Sequence, residues 1–182
     1  MSKKVFVFLT SNFEEIEALS VVDILRRAEL DVRMVSLTGE KRVTGSHRIS
    51  VVADCLFEEA DKHVDMIVLP GGPGTANYKT YSFLIELTKQ FHKEQKYIAA
   101  ICAAPTFLAE LGILDGKTAV CYPSLENNLH NATRGKNIVE VDGNIITSKG
   151  PATSIFFALK IVEILKGKEL AATIGDQLLA SF

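Results

Sequence analysis

The sequence predicts an α/β fold: a doubly wound domain over residues 1–182, with a mostly parallel sheet covered by helices on both faces. Three observations carry this. The apolar runs at 4–9, 64–69 and 97–101 are continuous rather than alternating, as strands buried on both faces must be. Segments with helical spacing of apolar residues stand between those runs. No repeat, low-complexity tract or linker interrupts the alternation.

The elements follow in order. Residues 4–9 form the first strand, and 14–29 a helix that turns Ile16, Leu19, Val22, Leu25 and Ala28 inward. Residues 31–37 are the next strand, and 41–53 a small excursion with a hairpin around Gly45. After the strand at 64–69, a helix at 83–96 places Leu84, Leu87 and Phe91 on one face. The strand at 97–101 leads into a corner, a helix to Leu111, and a strand at 117–122. Asp142-Gly143 between two apolar runs marks a hairpin, and helices at 151–166 and 169–180 follow.

Hydrophobic content of 47% with 23% charged residues is ordinary for a globular protein, and a net charge of −2 points to neither a nucleic acid nor a membrane partner. The apolar run 5–9 is too short for a signal-peptide core, and no stretch approaches a membrane span, so a cytoplasmic location is expected. Three cysteines (Cys55, Cys102, Cys121) without a framework spacing argue against disulfide stapling.

The densest chemical signal is Ala99-Ala100-Ile101-Cys102-Ala103-Ala104-Pro105, a buried strand turning sharply into a helix with Cys102 at the corner. Ala100 and Ala104 let strand and helix cross closely, and Pro105 suits a first helical turn. A free cysteine is by composition a core residue; the corner reverses that reading, because unpaired N–H groups at a helix start favour a thiolate. Cys55 and Cys121 lie in strand-like patterns and read as core. The loop Pro70-Gly71-Gly72-Pro73-Gly74 follows a strand directly and is suited to an anion nest of backbone N–H groups, though not to a nucleotide fingerprint.

Partners for the thiol come from the first helix. Glu17 can point back toward the strand ends, where burial would keep it protonated and able to donate to a thiolate. Asp23 is a second candidate. Glu14 and Glu15 are expected to serve the helix dipole and face water. His63 and His92 are expected to be exposed, and His130 lies in a loop; no histidine sits beside Cys102, and no metal-ligand cluster or cofactor motif is apparent.

Together these residues resemble the ThiJ/PfpI superfamily, in its parkinsonism-associated, deglycase-like branch. The matching features are Glu14-Glu15-Ile16-Glu17, Val68-Leu69-Pro70-Gly71-Gly72, the Cys102 corner, and Thr147-Ser148-Lys149-Gly150-Pro151-Ala152-Thr153-Ser154. The resemblance runs from Lys3 to about Lys168. It implies a flavodoxin-like three-layer sandwich, a homodimer, Cys102 as nucleophile or oxidisable thiol, and Glu17 as its protonated partner. It also implies an oxyanion site at the Gly72 and Ala103 amides beside Gly71, and a pocket near Tyr122, Ser148, Gly150 and Pro151. Activities of the family include glutathione-independent conversion of methylglyoxal to lactate, repair of early glycation adducts, redox sensing and chaperone-like behaviour. The expected partners are therefore a small carbonyl substrate or an oxidant, with no cofactor.

One position departs from the family pattern. Many members carry a histidine before the proline in Val120-Cys121-Tyr122-Pro123, where this chain has Tyr122. A phenol titrating at about 10 cannot shuttle protons near neutrality as imidazole does. The peptidase members' histidine after the cysteine is Ala103 here, which argues against proteolysis.

Overall fold

The computed structural model describes residues 3–61 and 63–180 and contains one seven-stranded sheet between two helical layers. In chain order the elements begin β1 (Lys4–Leu9), α1 (Glu15–Arg27), β2 (Asp31–Ser36), β3 (Arg42–Thr44), β4 (Ser50–Val52) and β5 (Cys55–Leu56). Next come β6 (Met66–Leu69), α2 (Ser82–Lys93), β7 (Tyr97–Ile101), α3 (Ala104–Glu110), β8 (Thr118–Ala119) and β9 (Thr133–Arg134). The chain closes with β10 (Val139–Asp142), β11 (Ile145–Ser148), α4 (Ser154–Lys166) and α5 (Lys168–Gln177).

The sheet runs β10-β11-β7-β6-β1-β2-β5 and is parallel except at the β10 edge, where the Asp142-Gly143 turn reverses the chain. Side chains alternate across it with the strand period of two. Val5, Val7 and Leu9 face the layer of α1, α4 and α5, where Leu25, Phe157 and Ile161 bury. Phe6 and Phe8 face the opposite layer, with Leu84, Phe91 and Phe107. Both faces are dry, which is why the strands read as unbroken apolar runs.

The chain moves outward from β1 to β2 and β5, then returns to the other side of β1 at β6. This reversal opens a crevice beyond the carboxyl ends of β1 and β6, the usual place for a site in such sheets. The segments 10–14 and 70–72 fill it, and Cys102 follows β7 next door.

Three expectations are corrected. Ile16 is 56% exposed, and the inward face of α1 is Ala18, Val21, Val22, Leu25 and Ala28, a register set by the buried Glu14, Glu15 and Glu17 at its start. The strand at 117–122 shrinks to β8, because Val120 N donates to Thr147 Oγ1 and Tyr122 N to Cys102 O instead of to a ladder. His92 is half-buried rather than exposed, with its Nδ1 sealed from solvent.

Candidate functional site

The corner forms as its sequence suggests. Cys102 sits between β7 and α3 at φ +63°, a left-handed conformation that costs a non-glycine residue energy and is tolerated where surroundings enforce it. Two hydrogen bonds enforce it here: Cys102 N donates to Ser148 O at 3.0 Å, and Tyr122 N donates to Cys102 O at 2.8 Å. Ala100 and Ala104 are fully buried where strand and helix cross. Cys102 as a whole is only 8% exposed.

Glu17 is fully buried against it. Glu14 caps α1, accepting from Glu17 N through Oε2 at 2.7 Å, and so aims the first turn at the sheet. Gly71 N donates to Glu17 Oε2 at 2.7 Å, while Oε1 is buried without a nitrogen or oxygen partner. The carboxyl stands beside the Cys102 side chain, and the Gly72 and Ala103 amides lie near enough to the sulfur to bear on its titration. Gly72 adopts φ +93°, and a Cβ there would meet Asn12 O and Glu14 N below 3.0 Å, so only glycine brings this amide to the site.

Burial pushes the Glu17 carboxyl up to about 7, against the pull of hydrogen bonds from Cys102 and Gly71. Burial, then the charge of Glu17, push the Cys102 thiol up to about 12, although the Gly72 and Ala103 amides draw it down. The helix end does not act unopposed: in this dry corner burial outweighs the two amides. The two groups titrate as a coupled pair, and a second negative charge so close to the first is opposed.

The remaining predicted residues divide. Tyr122 is 45% exposed, with its ring against Gly150, where a Cβ would make ordinary contact at 3.4 Å. Pro151 is half-buried at the start of the following turn. Ser148 is no open pocket residue: its hydroxyl donates to Ile138 O at 2.7 Å and meets Thr153 Oγ1 at 2.6 Å, so only its carbonyl serves the corner. Asp23 is absent from the site. It lies six residues beyond Glu17, about 9 Å along the helix axis, exposed and paired with Arg27 at 2.7 Å.

Glu14 and Glu15 do not face water; both are buried. Glu15 accepts from His47 N at 2.7 Å and pairs with His47 Nδ1 at 2.8 Å across the β3–β4 turn. Glu14, Glu15 and His47 thus bring ligand-type atoms within 4.8 Å of one another, a cluster the sequence did not suggest because its members lie 32 residues apart. Glu14 is occupied as the helix cap and Glu15 by His47, which accounts for the trio as a cap and an ion pair. Tyr78, whose hydroxyl donates to Pro70 O at 2.7 Å, was also missed; a tyrosine in a turn carries no sequence mark of its partner. A groove of about 660 Å³ lined by β10, α4 and α5 includes none of these residues.

A left-handed cysteine at a strand-to-helix corner, with a buried glutamate and two amides on its sulfur, defines a flavodoxin-like protein with a built thiol site. The model of the DJ-1/PfpI family matches residues 3–164, and the chain belongs to that family. It is 40% identical to Protein dj-1beta of Drosophila melanogaster, with the whole of both chains covered. It is 36% identical to the glutathione-independent glyoxalase DJR-1.2 of Caenorhabditis elegans, over 86% of this chain and 84% of that protein. The solved structure of oxidized Toxoplasma gondii DJ-1 superposes with a TM-score of 0.95 at 38% identity, with both chains fully covered. No helix among the described residues is long and apolar enough to cross a membrane.

Proposed function

We propose that the chain, acting as one cytoplasmic domain in a homodimer, is a cysteine-dependent enzyme for small reactive carbonyls that converts methylglyoxal to lactate without glutathione. The observation that carries this is the convergence on Cys102 Sγ of a buried carboxyl and the Gly72 and Ala103 amides. The worm relative, a glutathione-independent glyoxalase by name, supports the same chemistry.

In this reading Glu17, the first of the pair to ionise, takes the Cys102 proton as the sulfur attacks, so the negative charge moves to Cys102 in the reacting state. The thiolate adds to the aldehyde carbon, forming the S–C bond and an alkoxide that the two amides hold. Glu17 gives its proton to the alkoxide and becomes the carboxylate. That carboxylate then takes the C–H proton of the hemithioacetal and returns it to the adjacent carbon through an enediol. The aldehyde carbon is oxidised and the ketone carbon reduced within one molecule, so no external redox cofactor is needed. Water cleaves the resulting thioester, releasing lactate and regenerating the thiol. Lactate production by wild type and Cys102→Ser tests the scheme; equal rates would end it.

A second reading is favoured by Tyr122, which supplies no imidazole, and by the oxidised state of the Toxoplasma neighbour. Here Cys102 is a sensor with little turnover. Its thiolate takes one oxygen from each of two peroxide molecules, passing through sulfenate to a sulfinate held by the same amides. Intact mass after mild peroxide should show two added oxygens mapped to Cys102; oxidation confined to Cys55 or Cys121 would remove this reading.

A further inference from the structure

Tyr78 heads the fully buried side chains by volume, and no step above uses it. Its ring lies against Phe107, with centroids 5.6 Å apart, in the layer of α2 and α3. Cys102 belongs to the opposite layer. One peptide unit joins the two sides. Tyr78 Oη donates to Pro70 O at 2.7 Å, and the N–H of that same peptide, on Gly71, donates to Glu17 Oε2 at 2.7 Å. The donors all point one way: from the phenol, through the peptide, to the carboxyl beside Cys102.

We infer that Tyr78 is a positioning residue for the Glu17–Cys102 pair, acting through the Pro70–Gly71 peptide. The inference rests on the reading of Cys102 as the reacting thiol. Hydrogen bonds in series polarise one another, by about 10–30% per bond. A phenol donating to the Pro70 carbonyl therefore makes the Gly71 N–H a stronger donor. That N–H holds Oε2 while Oε1 is buried without a hydrogen-bond partner, so the strength of the Gly71 bond sets how readily the carboxyl ionises. Once ionised, the carboxyl is the base that takes the Cys102 proton. Burial holds the Tyr78 phenol well above its ordinary range, so it remains a donor at every working pH. A leucine or phenylalanine would fill the same apolar space without this effect.

The test is the pH dependence of Cys102 alkylation by iodoacetamide, followed by mass spectrometry of the Cys102 peptide. Tyr78→Phe should raise the apparent pKa of Cys102 by about half a unit, which slows alkylation below that pKa by about threefold. Tyr81→Phe removes a neighbouring phenol whose partner is Thr10 rather than the Pro70 peptide, and should leave the profile unchanged. Should Tyr78→Phe fail to fold, 3-fluorotyrosine placed at 78 gives the converse: a more acidic donor and a lower apparent pKa. A reactive wild type with a superimposable Tyr78→Phe profile overturns this inference alone, as does an equal shift in Tyr81→Phe. A wild-type Cys102 that alkylates no faster than an ordinary thiol overturns the underlying reading as well.

Discussion

Gly71 and Cys102 approach so closely that residue 71 has no room for a side chain. A Cβ there would lie 2.6 Å from Cys102 Cβ, 2.5 Å from Glu17 Oε2 and 2.9 Å from Ile101 O. The loop cannot retreat, because Gly71 O also accepts from Glu14 N at 3.0 Å. Gly71→Ala must therefore displace either the carboxyl or the corner. The expected loss is about 1–3 kcal/mol in urea unfolding, the usual cost of forcing volume into a packed interior. Cys102 alkylation should slow at least several-fold. Wild-type stability together with wild-type reactivity would show that the three residues do not share this space.

Glu17 makes stability depend on pH in a direction opposite to most carboxylates. Its ordinary value is 4.5, and in the fold it stands at about 7. Below the first value the group is protonated in folded and unfolded chains alike, and its contribution is fully present. Between the two values only the folded chain keeps the proton, so stability falls as pH rises through about 7. The displacement corresponds to about 3 kcal/mol. Glu17→Gln is neutral throughout and removes this decline. Urea titrations should show the variant gaining on wild type by up to about 3 kcal/mol between about pH 4.5 and about pH 7. A constant difference across that range would place the carboxyl in contact with water.

The exposed apolar residues near the start of α1 bear on the proposed homodimer. Ile16 is 56% exposed, Ile49 53% and Val52 58%. Ile16 directly follows Glu15, whose carboxylate reaches the β3–β4 turn that contains Ile49. Exposed apolar side chains on neighbouring segments of this kind mark association surfaces. The double variant Ile16→Glu, Ile49→Glu is expected to weaken self-association at least about a hundredfold, near 3 kcal/mol, measured by sedimentation equilibrium. Its Cys102 corner should stay folded, since neither side chain is in the core. Unchanged association would move the interface elsewhere.

What could be read along the chain was what local pattern determines. The Cys102 corner and the Gly71-Gly72 loop announce themselves, because a left-handed residue and a close backbone approach each require particular residue types nearby. Glu17 was legible from its place on the first helix. Its neighbours were not: Glu15 is buried because of His47, and Ile16 is exposed because three carboxylates fix the helix register. Asp23 shares the helix but not the face. Ser148 matches the family pattern, yet its hydroxyl is consumed by Ile138 O and Thr153. Tyr78 acts through a carbonyl eight residues away, a relation that no spacing rule encodes.

Tyr122→His separates the two functional readings. Tyr122 is tied to the corner through its backbone, N to Cys102 O at 2.8 Å, so a new side chain leaves that bond in place. The ring is 45% exposed and its loss should cost little packing. Imidazole titrates at about 6.5, where tyrosine titrates at about 10, so the variant gains a group able to move protons at neutrality. General acid–base groups contribute about 10²–10⁴-fold. If the chain is a sensor that lacks only this group, lactate formation from methylglyoxal should rise at least about tenfold near neutrality, with a new limb at about pH 6.5. Peroxide uptake at Cys102 should be unaffected, since it needs only the thiolate and the amides. If instead the natural chain already turns over fast through Glu17, the two rates should agree within about twofold, and the sensor reading gives way to the enzyme.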